Sequence, residues 1–274
     1  YKSLPTECFY TQKHYSTAFQ IIHFLMAPLM AGAAVYISDE KDFATLIPAF
    51  TEKRITYACM ESPVLREMIR ASEELKLPTP TVKGFVFNGN TPDKATWEAI
   101  AKLGKAAVFS VYGMTEYLGT IAMSTPDFKP TVLTPSFIGP AVMAAKIRVV
   151  DDNNDEIDKK KPQKGQILVM GPSLMTKYLN LPEEQKLNVR GTWLFTGDYV
   201  DIDKDGGVNF IDRKADLVII DGGEKIVPRE VEEIVSTIPQ VEECAYITTR
   251  DRLKKPVVAL AIVRKLQTEL NEAT

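Results

Sequence analysis

Two apolar runs joined by a helical pattern decide the fold: "VKGFVFNGN" (residues 82–90) and "AAVFSVYG" (residues 106–113), with "PDKATWEAIAKLG" (residues 92–104) between them. Both runs are short and apolar on both faces, as parallel strands are when helices cover both faces of their sheet. The segment between them is predicted to be a helix, with Pro92 at a position that is favoured in a first turn. This stretch therefore predicts a parallel strand–helix–strand unit.

The same alternation extends upstream to residue 33. The candidate strands "AAVYIS" and "ITYACM" alternate with the candidate helices "DFATLIPAFTEKR" and "PVLREMIRASEEL". Asp42 and Pro63 stand near the starts of the two helices, where an acidic residue and a proline are favoured. The whole pattern predicts a doubly wound α/β unit with a mainly parallel sheet. Ligands bind such sheets outside the carboxyl ends of the strands.

The sequence from residue 191 onward predicts a small β-rich unit and then a second domain. The segments "DYVDID" and "VNFID" alternate like antiparallel strands that are joined at Asp205 and Gly206. A helix is predicted to begin at Pro228. Its predicted core face holds Val231, Ile234, Val235 and Ile238. Together with the strand candidates "CAYITT" and "PVVALAIV", this helix makes a partial α+β domain that starts near Arg213.

Composition limits the possible partners. Of the 274 residues, 45% are hydrophobic and 25% are charged, which is typical of a globular chain with a large core. The formal net charge of −3 gives no electrostatic footprint for nucleic acid or an anionic membrane, so a small-molecule ligand is favoured. The three cysteines lack CxxC spacing and there are only two histidines, which predicts neither a disulfide framework nor a zinc site. A reducing cytoplasm fits this composition.

One nearly continuous apolar segment, "IIHFLMAPLMAGAAVYI" (residues 21–37), approaches the length of a membrane span. His23, Pro28 and Gly32 interrupt it, and it divides into a buried helix that ends near Met30 and a short strand. We therefore expect no transmembrane segment. Because the chain does not open with methionine and shows no signal region, we expect it to be a fragment of a longer protein.

Two polar stretches fall at predicted carboxyl ends of strands: "NGNTP" (residues 88–92) and "YGMTE" (residues 112–116). In the second stretch the glycine turn leaves backbone N–H groups free, and Tyr112 offers a flat face on which a base can stack. Thr115 and Glu116 can then reach a phosphate and its magnesium ion, which prefers oxygen ligands. On these residues alone, a polar loop with a surface carboxylate stays open as the alternative.

The stretch from Asp201 to Asp212 supports a competing interpretation. "DIDKDG", followed by an acid at the twelfth position, fits an EF-hand calcium loop. An EF-hand needs a helix before the loop, however, whereas "GTWLFTGDYV" has two glycines and strand-like residues. Asp212 also stands where a glutamate is usual. We therefore favour a hairpin with solvated acidic residues over a calcium-binding module.

Four motifs together resemble the adenylate-forming superfamily of acyl-CoA synthetases, luciferases and peptide-synthetase adenylation domains. They are "VYGMTE", "GQILVMGPSLMTKYLN", "GTWLFTGDY" and "DRKADLVIIDGGEKIVPREVEEIV", in family order and at family-like spacing. The resemblance covers nearly the whole chain. It implies that residues 1–212 are the C-terminal part of the large AMP-binding domain, and that residues 213–274 are an incomplete, mobile C-terminal domain.

The resemblance also implies a site for ATP or AMP. Tyr112 would stack on adenine, with the turn at residues 88–90 on the other side of the base. Asp198 would accept hydrogen bonds from both ribose hydroxyls, and Arg213 would also reach the ribose. The implied nucleotide-binding residues are Asn88, Gly89, Asn90, Tyr112, Gly113, Met114, Asp198 and Arg213.

For the chemical step, the resemblance implies that Thr115 holds the α-phosphate and that Glu116 ligates Mg²⁺. Charge builds on phosphate oxygens when a carboxylate attacks, and fixed donors with a metal ion stabilise it without a protein nucleophile. The loop that lines the CoA tunnel matches Gly222, Gly223 and Glu224. His14 matches a position that gates the acyl pocket, although we favour structural roles for both His14 and His23.

The implied activity is ATP-dependent activation of a fatty or other acyl acid through an acyl-adenylate, followed by transfer to CoA. The alternatives are an adenylation domain that loads a carrier protein and a non-catalytic calcium-binding module. The family's glycine-rich phosphate loop and its C-terminal lysine are not in this chain, and Ala215 stands where Asp or Lys is usual at the hinge. We therefore expect the chain alone to keep the base and ribose site but to catalyse adenylation poorly or not at all.

Overall fold

A six-stranded sheet forms the first half of the protein. The computed structural model describes residues 4–78, 82–89, 92, 94–124, 136–142, 144–158, 163–202, 208–214, 217–219, 225–250 and 256–265. The strands of this sheet are β1 (Cys8–Thr11), β2 (Ala34–Tyr36), β3 (Tyr57–Cys59), β4 (Gly84–Asn88), β5 (Ala107–Met114) and β6 (Gly119–Met123), in the order β2-β1-β3-β4-β5-β6. The first five strands are parallel and β6 is antiparallel to β5, which confirms the predicted mainly parallel sheet.

Helices connect the parallel strands. They are α1 (Ala18–Ile21), a π-helical segment (Ile22–Met26), α2 (Ala27–Met30), α3 (Phe43–Glu52), α4 (Ser62–Glu74) and α5 (Lys94–Lys102). The Asp42 carboxylate caps α3, because it accepts a hydrogen bond from the N–H of Ala44 at 3.2 Å. Pro63 stands in the first turn of α4, as predicted. Pro92 lies before α5 and not in its first turn, since the helix begins at Lys94.

Both faces of the sheet are buried. Successive side chains of a strand point to opposite faces, so one strand contributes to the cores on both sides. On β4, Phe85 and Phe87 enter the core that holds α3, α4 and α5. Val86, between them, packs in a second core with Phe9 and Phe24. Burial on both faces is what a doubly wound sheet requires.

The sequence pattern does not predict β1. This strand has only four residues, "CFYT", and polar residues follow it at once. It nevertheless lies between β2 and β3, with all four residues buried. The apolar runs around β2 and β3 extend beyond those strands, whereas β1 is enclosed by Glu7 and Gln12, so only its neighbours in the sheet identify it.

A second, antiparallel sheet follows. Its strands are β7 (Lys146–Val150), β8 (Gln163–Met170), β9 (Val189–Arg190), β10 (Trp193–Ile202) and β11 (Val208–Arg213), and helix α6 (Pro182–Asn188) precedes β9. The order is β11-β10-β8-β7, with β9 paired to β10. The sequence predicts the last two strands of this β-rich unit, β10 and β11, while β7 and β8 lie upstream of the residue at which the predicted unit begins.

The two sheets share a hydrophobic core. Ile121 and Ala122 of β6 pack in one cluster with Ile167 of β8 and with Leu194 and Val200 of β10, and all five side chains are fully buried. The edge of the parallel sheet therefore lies against the antiparallel sheet. This junction brings the end of β5 close to β10.

The last part of the chain forms a small α+β unit. It contains β12 (Val218–Ile219), β13 (Lys225–Ile226), α7 (Pro228–Val235), β14 (Val241–Arg250) and β15 (Pro256–Arg264). The prediction for α7 is wrong in part: Ile234 is 70% exposed, and the helix ends at Val235, before Ile238. Val231 and Val235 are partly buried. Spacing alone therefore overestimated the buried face of this helix.

The hairpin interpretation of residues 201–212 agrees with the structure. β10 and β11 are antiparallel neighbours on either side of the acidic loop. Residues 203–207, with the predicted turn at Asp205 and Gly206, lie outside the described residues. Because strands and not helices flank this loop, it lacks the helical frame of an EF-hand.

The apolar segment at residues 21–37 divides as the sequence predicts, with α2 ending at Met30 and β2 beginning at Ala34. In the part of the chain that the structure describes, no helix has the length and hydrophobicity needed to cross a bilayer.

Candidate active site

A glycine turn ends β5 at the carboxyl edge of the parallel sheet. A Cβ on Gly113 would lie 1.7 Å from the carbonyl oxygen of Gly119 on β6, so only glycine fits at this position. The register between the two strands shifts between Tyr112 and Gly113. The chain then makes a short 3₁₀ turn at Thr115–Tyr117 and continues through Leu118 in a left-handed conformation. This close approach holds Thr115 and Glu116 at the edge where ligands bind such sheets.

Asp198 on β10 lies directly beside Tyr112. Its side chain is buried, with 3% of the residue exposed. The Tyr112 hydroxyl donates a hydrogen bond to Asp198 Oδ2 at 2.6 Å, and Arg213 Nη1 lies 2.8 Å from Oδ1. Asp198 and Arg213 are also paired in the β10–β11 ladder. The two sheets thus bring Tyr112 to a pair of residues on the β10–β11 hairpin, the first of which lies 86 residues further along the chain.

Burial controls the electrostatics of this cluster. It raises the pKa of Asp198, although the Tyr112 hydrogen bond and the Arg213 charge oppose the shift. Burial also raises the pKa of Tyr112 well above its usual value, so this hydroxyl is a neutral donor. Although Oδ1 is paired with Arg213, it accepts no well-directed hydrogen bond from the described residues. Asp198 therefore keeps an acceptor for a ligand hydroxyl.

A cavity of about 660 Å³, called the larger cavity here, opens at this cluster. Five predicted site residues line it: Gly89, Tyr112, Gly113, Asp198 and Arg213. The other residues that line it include Phe87, Ser110, Phe137, Ile138 and Phe210. Three further acidic residues, Glu61, Asp212 and Glu232, also line it. Aromatic and apolar walls that include a buried carboxylate are suited to a nucleoside, whose flat base is apolar on its faces and whose sugar donates hydrogen bonds.

A second cavity of about 480 Å³, called the smaller cavity, adjoins the first. Gly113 and Glu61 line both cavities. Four predicted site residues line the smaller one: Asn88, Gly113, Met114 and Thr115. Gly119 of β6 also lines it, and the other walls come from the loop after β1 and from α1, including Gln12, Lys13, His14, Thr17, Phe19 and Gln20. The end of β5 is thus the partition between two adjacent chambers.

Lys13 and Glu61 form an ion pair beside this partition. Lys13 Nζ lies 2.8 Å from Glu61 Oε1 and donates to the backbone oxygen of Asn88 at 2.9 Å. The pair therefore ties the loop after β1 to the ends of β3 and β4. Neither residue was singled out in the sequence, because nothing in the local pattern distinguishes them from other surface charges.

Glu116 lies outside both cavity linings and is half-buried. The hydroxyl of Tyr178 donates to Glu116 Oε1 at 3.0 Å. Burial, with a further contribution from Glu116, raises the pKa of Tyr178 to about 12, so this hydroxyl stays protonated. Tyr178 is 62 residues away in the chain, and sequence reasoning missed its contact with Glu116.

The donor set fits a magnesium ion that a nucleotide brings with it. No group of three or more His, Cys, Asp or Glu residues that could hold a metal ion occurs among the described residues. Glu116 instead offers a single carboxylate, and the residue before it, Thr115, offers a hydroxyl. Mg²⁺ is usually bound in this way, through one or two carboxylates together with substrate phosphates and water.

The two histidines have different surroundings. His14 lines the smaller cavity, and its Nδ1 accepts a hydrogen bond from the N–H of Ser16 at 3.2 Å. His23 lies in the π-helical segment, 2.7 Å from the Thr120 hydroxyl through Nε2, with its ring 4.7 Å from that of Phe19. Burial lowers the pKa of His23 to about 4. The neutral His23 imidazole thus joins the helix to β6.

Several predicted positions lie outside the described residues. They are Asn90 of the base-binding turn, Ala215 at the expected hinge, and the predicted CoA-loop residues Gly222, Gly223 and Glu224.

Comparison with known proteins identifies relatives. The model of a family described as AMP-binding enzyme matches residues 5–179. The 2-succinylbenzoate–CoA ligase of Geobacillus sp. (strain WCH70) is 28% identical over 241 residues, which cover 88% of this chain and 47% of that protein. The 4-coumarate–CoA ligase 3 of Oryza sativa subsp. japonica is 28% identical over 253 residues, which cover 90% of this chain and 45% of the relative. The chain therefore spans about half the length of these curated relatives.

A solved structure shows the same fold. O-succinylbenzoate coenzyme A synthetase from Bacillus subtilis, in complex with ATP and magnesium ion, superimposes with a TM-score of 0.81 at 22% identity. The match covers 97% of this chain and 54% of the solved chain.

Proposed function

Because this chain belongs to the AMP-binding enzyme family, we propose that it holds the nucleotide in an acid–CoA ligase, an enzyme that activates a carboxylic acid with ATP and transfers it to CoA. Membership in the family confirms the resemblance drawn from four sequence motifs. The observation that carries the proposal is the cluster of Tyr112, Asp198 and Arg213 in the larger cavity, next to a second chamber of suitable size for an acid.

In this proposal adenosine occupies the larger cavity. The base lies against Tyr112 and the turn that contains Gly89, both of which line that cavity. The ribose hydroxyls donate to Asp198, whose Oδ1 has acceptor capacity left. Arg213, half-exposed at the cavity mouth, reaches the ribose as well as the carboxylate. Loss of any one of these hydrogen bonds to a charged group would weaken binding by about 1.5–3 kcal/mol.

The phosphates extend from the ribose toward the end of β5. Thr115 offers its hydroxyl to the α-phosphate, and Glu116 is the ligand for Mg²⁺. When bound, the metal ion would neutralise the charge that develops on the phosphate oxygens. The role of the protein is to fix the two side chains in advance, and the 1.7 Å constraint at Gly113 shows how little freedom this turn has.

The acid occupies the smaller cavity. Its carboxylate reaches the α-phosphorus at the partition, near Gly113 and Thr115, which face this chamber. The acyl tail lies among Ala18, Phe19 and Met114. We propose a fatty or other acyl acid, because these walls offer apolar contacts that a hydrocarbon tail can use. The carboxylate oxygen itself attacks the α-phosphorus while the bond to the β-phosphate oxygen breaks and pyrophosphate leaves, so no protein nucleophile is required for this step.

Transfer to CoA is assigned to the last part of the chain. We propose that residues 1–212 belong to the large domain and that residues 213–274 belong to a small domain that moves about Arg213 between the two steps. The predicted loop of Gly222, Gly223 and Glu224 would then line the CoA tunnel. The position of Glu232 of α7 in the lining of the larger cavity supports this assignment.

Binding of non-hydrolysable acyl-adenylate analogues tests the proposal. Acyl sulfamoyl adenosines with a fatty chain or an aryl group are titrated into the protein, with AMP as the matched ligand that lacks the acyl part. If both chambers belong to one site, the best analogue binds at least about tenfold more tightly than AMP, as expected for acyl burial worth about 1.4 kcal/mol or more. Analogues that never bind more tightly than AMP would contradict an acid-activating function.

A further inference from the structure

The segment that follows β8, residues 171–178, packs over the turn that carries Glu116. A Cβ on Gly171 would lie 2.0 Å from the hydroxyl oxygen of Tyr117, so this backbone passes directly against that ring. Further along, the N–H of Met175 donates to the backbone oxygen of Glu116 at 2.7 Å. We call residues 171–178 the clamp segment, because it holds the turn from outside.

The last residue of the clamp segment holds the Glu116 side chain as well. The Tyr178 hydroxyl donates to Glu116 Oε1 at 3.0 Å. The N–H of Tyr178 itself donates to Gln185 Oε1 at 2.9 Å, so α6 fixes the tyrosine backbone. Both the main chain and the side chain of Glu116 are therefore fixed by one segment that contributes nothing to the linings of the two chambers.

We propose that Tyr178 is a positioning residue that holds Glu116 Oε1 and leaves Oε2 to the magnesium ion of the bound nucleotide. This inference rests on the proposed function. A carboxylate is broadly free to rotate about its last torsion angle, and one hydrogen bond to one oxygen removes that freedom. Groups that orient a metal ligand in this way typically change metal affinity by about 10–100-fold when they are lost.

A purely structural tether makes a different prediction. If Tyr178 only fastened the clamp segment, removal of its hydroxyl would affect the whole site, with or without metal. If it orients Glu116 for the metal, removal of the hydroxyl affects only the metal-dependent part of nucleotide binding. The Tyr178→Phe substitution separates the two roles, because it deletes the hydroxyl and keeps the ring.

The experiment measures dissociation constants by calorimetry for AMP without metal, for ATP with EDTA, and for ATP with Mg²⁺. The Mg²⁺-dependent gain is the ratio of the two ATP constants. We expect the AMP dissociation constant of Tyr178→Phe to lie within about twofold of the wild-type value. The Mg²⁺-dependent gain of this variant should be about tenfold smaller than that of the wild type. Tyr36→Phe on β2 is the matched control and keeps the full gain. Glu116→Gln is the reference for complete loss.

The outcomes are distinguishable. The inference would be overturned if Tyr178→Phe kept the wild-type Mg²⁺-dependent gain. It would also be overturned if the substitution weakened AMP binding without metal as much as it weakened ATP binding with Mg²⁺. A wild-type protein that binds AMP but gains nothing from Mg²⁺ would overturn the metal assignment and this inference, while the base and ribose site would stand. A wild-type protein that binds no nucleotide would overturn the proposed function itself.

Discussion

Asp198 combines two requirements that oppose each other. Burial raises the pKa of the Asp198 carboxyl, so the folded state binds this proton more tightly than the unfolded state does. The carboxyl therefore contributes stability that is complete below its unfolded-state pKa and is lost as pH rises through its folded-state pKa. Yet ribose binding needs the ionised acceptor. The Tyr112 hydroxyl and the Arg213 guanidinium, 2.6 Å and 2.8 Å away, resolve the conflict by holding the charge in place.

His23 gives a pH prediction that concerns stability. The pKa of His23 in the folded protein is about 4, below the usual 6.5 of histidine, because burial disfavours the imidazolium. The contribution to stability is therefore complete above pH 6.5 and is lost as pH falls toward 4, to the extent of about 3 kcal/mol. Urea unfolding between pH 7 and pH 4 measures the loss, and His23→Gln should remove most of the slope.

The protein has only two histidines, so the imidazole signals in an NMR titration are few and assignable with His14→Gln as the control. His23 should titrate near pH 4. Titration of His23 at an ordinary value would show that the ring is solvated, and that the contact with Thr120 does not persist in solution.

The sequence predicted which residue types form the turn between β5 and β6, but it did not predict the backbone geometry of this turn. "YGMTE" at the end of an apolar run predicts a glycine turn with polar residues. That the turn requires glycine follows only from the approach of Gly119, since the clash involves the neighbouring strand. The strands and helices from residue 33 were predictable because apolar runs and helical patterns alternate clearly there; β1 was not, because its four residues are enclosed by the polar Glu7 and Gln12.

Gly113→Ala tests the geometry of this turn. The new Cβ meets the Gly119 carbonyl at 1.7 Å, so β5 and β6 must separate. We expect a loss of about 1–3 kcal/mol in unfolding free energy, as for other overpacked sites, together with loss of AMP binding. Urea denaturation and calorimetry measure the two effects.

Gly104→Ala is the control, because no atom lies within 4 Å of its Cβ. Its positive φ costs about 1–2 kcal/mol of strain, while AMP affinity should stay at the wild-type level. If Gly113→Ala binds AMP as well as Gly104→Ala does, the turn does not set the nucleotide site.

The assembly of the site from two sheets is the feature that sequence alone could not supply. Tyr112 and Asp198 are 86 residues apart, and Glu116 and Tyr178 are 62 apart. No local spacing encodes such contacts. Only the resemblance of whole motifs to a family predicted that Tyr112, Asp198 and Arg213 would act together, and it gave no role to Tyr178, although this residue lies in one of the four motifs. The shared core around Ile121 and Leu194 is what holds these positions together.

Leu194→Ala tests that shared core. Leu194 is fully buried between the sheets, four residues before Asp198 on β10. We expect a loss of about 2–5 kcal/mol on unfolding in urea, because a buried cavity remains. Leu187→Ala, at a position 65% exposed, is the matched control and should change stability by less than about 0.5 kcal/mol. Equal effects from the two substitutions would show that the core between the sheets contributes little.

Calorimetric titration with AMP, of the wild-type chain and of Asp198→Ala in parallel, is the decisive measurement. If the larger cavity is the nucleotide site, the wild type binds AMP at one site. Asp198→Ala should then bind about 10–100-fold more weakly, since hydrogen bonds to a charged acceptor are lost. Arg213 is half-exposed and can remain solvated, so the variant should stay folded. Equal AMP affinity in the two proteins, or none in the wild type, would contradict the assignment of this cavity.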